Sequence, residues 1–196
     1  MFIIVEGILT AIFAYLLGAV PFSLILPKVF CGVDVRKVGS QNVGATNVYR
    51  ACGIKIAIAC FLLDGLKGLL AVVVAQNLLH FYHAQLYIFG FAAILGHVYP
   101  VFLKFKGGKG VATSIFIVLA LDPLYALLFA MVWLLVFAAK KVSSISAFAG
   151  FAVLVIASLF DVSFAGKVFY ISLLCFILFT HRKNIKRLIY GAELKL

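Results

Sequence analysis

Charge is scarce in this chain: Asp, Glu, Lys and Arg make up 12% of its 196 residues, against 66% hydrophobic residues. That ratio excludes a soluble domain of this length and leaves an integral membrane protein. Acidic residues are scarcer still, 6 against 17 Lys and Arg, for a formal net charge of +11. Such an excess suits nucleic acid, anionic lipid or an anionic substrate; in a chain this apolar the last two lead, and no nucleic acid partner is expected. No basic stretch precedes the first apolar run, which is long enough to span a bilayer, so that run reads as a membrane helix and not a cleavable signal. The four cysteines, Cys31, Cys52, Cys60 and Cys175, form no CxxC pair and have no His at zinc spacing, and they read as unpaired thiols. Carboxylates do not cluster, so neither a metal nor another cofactor is expected. Low-complexity stretches, a soluble domain and internal repeats are lacking too, and residues 1–196 read as one membrane domain.

What is present is apolar sequence in blocks, at about 3–30, 53–79, 85–103, 110–121, 123–139, 145–160 and 168–180. The blocks predict an all-α integral membrane protein, a compact bundle of about seven transmembrane helices. Several late blocks fall short of the roughly 20 residues that a perpendicular helix needs, which implies short helices and dipping loops. Pro21, Pro27, Pro100 and Pro123 stand near span ends or kinks, where a missing N–H is tolerated. Cations gather in alternate connections: Lys28, Arg36, Lys37, Arg50 and Lys55, then Lys104, Lys106 and Lys109, then Lys140 and Lys141, then Arg182, Lys183, Lys186, Arg187 and Lys195 in the tail. The connections between hold only Lys167, with Asp122, Asp161, His80 and His83. The positive-inside rule therefore places the N-terminus outside, and the C-terminus and all polar segments at the cytoplasmic face.

Three of those segments are candidates for chemistry. Residues 39–50 read GSQNVGATNVYR, in which Ser40, Asn42 and Thr46 offer neutral donors and Arg50 a fork-shaped cation suited to phosphate; an ordinary Gly/Asn turn with positive-inside charge is the alternative. In residues 104–113, Lys104, Gly107, Gly108, Lys109 and Gly110 suggest a nest of backbone amides with lysines as point charges, or lysines that serve topology alone. The GxxxxGK[ST] spacing of a P-loop is absent there. In the tail, His181, Asn184 and Arg187 follow at intervals of three and share a helical face, although a basic helix lying on anionic lipid has the same pattern. Ser143 and Ser144 form a further polar turn. Deep in the second span, Asp64 and Lys67 suit a structural ion pair or a proton relay, and His97 is either a core histidine or a substrate contact.

Taken in order, GSQNVGATNVYR at 39–50, GHVYPVFLKFKGGKGVATS at 96–114, the Ser143–Ser144 turn and HRKNIKRLIYGAE at 181–193 closely resemble the bacterial acyl-phosphate:glycerol-3-phosphate acyltransferases, the PlsY family. The resemblance covers nearly the whole chain. It implies transfer of a fatty acyl group from acyl phosphate to the sn-1 hydroxyl of glycerol 3-phosphate, giving lysophosphatidic acid and inorganic phosphate, in the bacterial inner membrane. Both substrates carry phosphate, which suits two cationic loops on one face beside an apolar groove. Carried over by motif, Ser40 and Arg50 are substrate-phosphate contacts with Asn42 and Thr46 completing their loop. Lys104, Gly107, Gly108, Lys109 and Gly110 form the glycerol 3-phosphate phosphate site, His181 and Asn184 orient the reacting groups, Ser143 assists, and Glu193 holds the tail. No thiol is placed as a nucleophile, so direct attack by the hydroxyl is expected, with a donor phosphate oxygen taking the proton and His181 as an orienting donor. The expected protein is a monomer in membrane lipid.

Two departures qualify the resemblance. Gln41 stands where the family pattern GSGN has a small residue. The HxxxxD pair of soluble-faced glycerolipid acyltransferases is missing, since Gln85, Ile88, Phe102 and Lys186 follow His80, His83, His97 and His181 at the Asp position. A transporter of a phosphorylated solute is the rival reading; it would place its binding groups near the bilayer midplane, whereas only Asp64 and Lys67 lie deep here.

Overall fold

The computed structural model describes residues 2–77, 79–81, 84–161 and 163–195, and of Phe2, Ile3 and Asp161 only the backbone. His83 lies outside the described residues, as does the side chain of Asp161. All regular structure among the described residues is helical: α1 (Phe2–Gly18), α2 (Phe22–Cys31), α3 (Ala45–Asn77), α4 (Ala84–Val98), α5 (Val111–Leu121), α6 (Pro123–Lys140), α7 (Ser143–Asp161), α8 (Phe164–Thr180) and α9 (Arg182–Ile189), with 3-10 turns at Val35–Lys37 and Val101–Leu103. Five stretches are long and apolar enough to cross a membrane, or six when α8 and α9, bent by 63°, are taken as one, while α5 is a shorter apolar helix. A bilayer offers no water to backbone groups, so apolar runs of this length form helices that bond internally.

Breaks within the runs follow local chemistry. The first apolar block is two helices, because Pro21, lacking an N–H, separates α1 from α2. Gly32 closes α2 in the left-handed region, φ 65°. α3 begins well before its apolar block, its first two turns carrying Thr46, Asn47 and Arg50, and Gly53 at φ 77° and ψ −178° kinks it where the block starts. Lys141 at φ 55° ends α6, its N–H bonding the Phe137 carbonyl.

The chain forms two compact units, residues 1–121 and 122–196. In the first, α1 lies against α4 at backbone distance: a Cβ on Gly18 would strike the Ala93 carbonyl, and one on Gly96 the Tyr15 carbonyl. Small residues of this kind are what let helices associate in lipid, where hydrophobicity supplies no drive. A small core of Leu24, Val35, Val43, Val48, Ala57 and Cys60 holds the connection between α2 and α3. In the second unit, Phe129 of α6 packs over Gly150 and against Phe151 of α7, with ring centroids 4.7 Å apart. Tyr170 of α8 donates to Asp122 Oδ2 at 2.8 Å.

Candidate functional site

The first loop is built by one side chain. Asn47, 1% exposed in the first turn of α3, donates from Nδ2 to the carbonyls of Val35 at 2.8 Å, Val38 at 3.1 Å and Asn42 at 3.2 Å, and accepts the Ser40 N–H on Oδ1 at 2.9 Å. Gly39 at φ 54° and Gln41 at φ 59° take the left-handed turns this wrapping demands, which explains why a small residue suits position 41. A cleft of about 100 Å³, lined by Val38, Gly39, Asn47, Arg50 and Ala51, opens beside the wrapped loop. Of the residues expected here, Ser40 and Asn42 lend backbone groups to Asn47, Arg50 lines the cleft, and Thr46 is half-buried in the first turn of α3. At the foot of the loop Asp34 takes a forked pair from Arg36, Nη2 at 2.6 Å and Nε at 2.9 Å. The Arg36 hydrogen bond is the main reason the Asp34 carboxyl is held well below the usual carboxylate range.

The glycine loop is organised differently from the amide nest expected of it. Gly107 donates its N–H to the Val98 carbonyl at 3.0 Å and Gly108 donates to the His97 carbonyl at 3.1 Å, so both amides are spent on the end of α4. Glycine is required at both positions for space: a Cβ on Gly107 would meet the His97 carbonyl, and one on Gly108 would meet His97 Nε2 and the Val43 carbonyl. Lys104 and Phe105, at φ 50° and 60°, turn the chain back, and Lys104 is exposed. Gly110, at φ 91°, leads into α5, whose first-turn N–H groups have no intrahelical partner and carry its positive end. Lys109 is half-buried.

Behind this loop Asp64 and Lys67 pair at 3.0 Å, each 2% exposed. Ser23 donates to Asp64 Oδ2, Lys67 Nζ donates to the Val20 carbonyl at 2.6 Å, and Thr113 Oγ1 donates to the Asp64 carbonyl at 2.7 Å. His97 is 7% exposed, with Nδ1 3.8 Å from Asp64 Oδ1.

In the second unit the tail folds around Glu193. Its carboxylate accepts from Asn184 Nδ2 at 2.5 Å, Ser144 Oγ at 3.2 Å and Arg187 Nε at 2.7 Å. Burial pushes the Glu193 carboxyl up, but the bonds from Arg187, Asn184 and Ser144 outweigh it and hold the group below its ordinary value. Ser143 is the first residue of α7; its neighbour Ser144 makes the contact. His181 and Asn184 are both buried, and Arg187 continues their column but spends its guanidinium on Glu193. His181 Nδ1 lies 2.8 Å from the Ile177 carbonyl. A carbonyl only accepts, so Nδ1 carries a proton. That bond fixes the orientation of the imidazole.

Asn47 and Asp34 are not singled out by the sequence reading; the seven-residue step from Ser40 to Asn47 in a Gly/Asn-rich loop is the signal that could have found the first, and Ser144, named there only with Ser143 as a polar turn, is the one that reaches Glu193. No three His, Cys, Asp or Glu side chains gather to hold a metal ion among the described residues.

The model of the glycerol-3-phosphate acyltransferase family matches residues 8–191. The chain is 42% identical over 192 residues to the glycerol-3-phosphate acyltransferase of Wolbachia pipientis subsp. Culex pipiens, covering 97% of this chain and 98% of that one. It is 46% identical over 186 residues to that of Agrobacterium fabrum, covering 94% and 89%. Among solved structures it is similar to PlsY, an integral membrane glycerol 3-phosphate acyltransferase, in its glycerol 3-phosphate form, with a TM-score of 0.90, 39% identity, and coverage of 97% of this chain and 95% of that one.

Proposed function

The chain belongs to the glycerol-3-phosphate acyltransferase family, and from that premise we propose that it moves a fatty acyl group from acyl phosphate to the sn-1 hydroxyl of glycerol 3-phosphate, releasing lysophosphatidic acid and inorganic phosphate. The observation that carries this reading is the first loop, where Asn47 is wholly spent on backbone and Arg50, a fork-shaped cation suited to phosphate, lines a cleft of about 100 Å³.

Transfer is direct. The glycerol oxygen attacks the acyl carbonyl carbon, a C–O bond forms, and the bond from that carbon to the phosphate oxygen breaks with its electron pair leaving on phosphate. A phosphate oxygen of the donor takes the hydroxyl proton as the bond forms and keeps it as phosphate departs, and His181, its ring held by the Nδ1–H bond to Ile177, is an orienting donor. Ser40, Asn42, Thr46 and Arg50 hold one phosphate; Lys104, Lys109 and the end of α5 entered through Gly110 hold that of glycerol 3-phosphate, in a loop shaped by Gly107 and Gly108. Asn184, clasped by Glu193, orients the acceptor together with Ser143. The rate enhancement is one of positioning and charge stabilisation, with no acyl-enzyme and no metal.

The residues 1–196 act as one monomeric membrane domain crossing the bacterial inner membrane seven times. The run of α1 and α2 counts once, α5 is the short crossing, and the N-terminus is outside with the cationic loops in the cytoplasm. Purified protein in lipid is expected to release phosphate from acyl phosphate only when glycerol 3-phosphate is present, and to release nothing useful from acyl-CoA. Release that ignores glycerol 3-phosphate overturns the reading.

A further inference from the structure

Every partner of the buried ion pair belongs to a different element of the first unit. An i,i+3 pair on α3 needs no other helix to be neutral, yet Asp64 takes the Ser23 hydroxyl from α2, its backbone carbonyl takes Thr113 from α5, and Lys67 reaches the Val20 carbonyl at the break between α1 and α2. The fourth neighbour is His97 of α4, which is buried and whose Nδ1 has no hydrogen-bond partner among the described residues. Its distance of 3.8 Å from Asp64 Oδ1 is electrostatic contact without a formed hydrogen bond. On the other side of the imidazole, Nε2 lies where any side chain on Gly108 would go, and the Val43 carbonyl of the first loop fills the remaining space. Gly108 thus sits against both a histidine that faces the ion pair and a carbonyl that belongs to the Arg50 loop.

We propose that Asp64 and Lys67 are positioning residues for the reaction: through His97 they set where Gly108 sits against Val43, and so fix the separation between the two phosphate-binding loops. The inference rests on the acyltransferase reading above. An ion pair that served stability alone would leave substrate kinetics untouched once both charges were removed together, because no unpaired charge would remain.

The test is steady-state phosphate release by the full chain in lipid, with binding of glycerol 3-phosphate followed in parallel by thermal shift. Asp64→Asn/Lys67→Met, neutral at both positions, is expected to raise KM for glycerol 3-phosphate by on the order of tenfold or more with KM for acyl phosphate little changed, the scale expected when a reacting group is held slightly out of place. His97→Asn should give the same selective defect, and the triple variant should be no worse than the poorer of the two, since all three act through one contact. Tyr170→Phe, which removes a hydrogen bond in the other unit, supplies the baseline: a lower Tm with both KM values unchanged. A neutral pair variant with wild-type KM for glycerol 3-phosphate overturns the proposal, as do defects that multiply in the triple variant or KM values that move together in step with Tm. If the pair variant does not fold, His97→Asn decides alone, a wild-type KM there being fatal. Wild-type protein that neither turns over nor is stabilised by glycerol 3-phosphate instead refutes the acyltransferase reading itself.

Discussion

In the first loop Asn47 commits its whole amide to four backbone partners, whereas in the glycine loop Gly107 and Gly108 donate their own N–H groups to the last carbonyls of α4. One loop is shaped by a side chain and the other by the lack of any. The two are therefore fragile in different ways: the first to a change of hydrogen-bonding character at constant size, the second to added volume at constant polarity. Both failures should appear as lost phosphate binding, and they separate only when substitutions are chosen to alter one property at a time.

The largest effect is expected from Asn47→Asp, which keeps the size and the acceptor for Ser40 but turns a donor to three carbonyls into a carboxylate facing them. Leaving buried groups unpaired costs about 1–3 kcal/mol each, so a fall in Tm and a loss of activity on the order of 100-fold are expected, measured by thermal unfolding and phosphate release. Wild-type behaviour would show that the loop does not depend on the amide. Gly108→Ala should come next: one methyl forced between His97 and the Val43 carbonyl costs about 1–3 kcal/mol as overpacking, and the sign to look for is a raised KM for glycerol 3-phosphate. The same substitution with unchanged KM would mean that His97 and the Val43 carbonyl give way to the methyl.

The smallest effect sharpens the comparison by bringing in the tail, which is clasped by a charge. The Glu193 carboxyl is held below its ordinary value in the fold, so its contribution is fully present above the unfolded carboxylate range and is lost as pH falls through the folded value. Tm of the wild type should decline on acidification through and below that range, and Glu193→Gln should be less stable at neutral pH but decline less steeply. Asp34, also held low, contributes to the slope that remains in the variant. Parallel curves for the two proteins would show that the clasp does not titrate.

Much of the fold was readable from hydropathy because a lipid-facing helix needs an unbroken apolar run and little else. The boundaries that escaped it were decided by polar or conformational features. The helix expected to begin with the apolar block at residue 53 begins at Ala45, with first turns that carry Thr46, Asn47 and Arg50, and residue 53 is the kink. Pro21 reads in the sequence as a proline near a span end, but that α1 and α2 part there depends on backbone geometry. The motif positions were visible as clusters of residue types. What those residues do locally was not, because whether an amide faces a ligand or a carbonyl depends on chain segments brought close by folding. Gly107 and Gly108 carry glycine for packing against α4, and composition alone made them look like anion donors. Asn47 stood unremarked in the same string as Asn42, although it is the one whose side chain builds the loop.

The spacing of Asp64 and Lys67 also matters before the fold exists. Three residues apart on α3, the two groups face each other as soon as that helix forms, so they enter the membrane as a neutral dipole and not as two separate ions. The Val20 carbonyl, at the break between α1 and α2 in an earlier segment, is bonded by Lys67. Biogenesis therefore has a direction written into it: the earlier membrane segment is completed by a later one, and the lysine that completes it arrives with its charge already balanced.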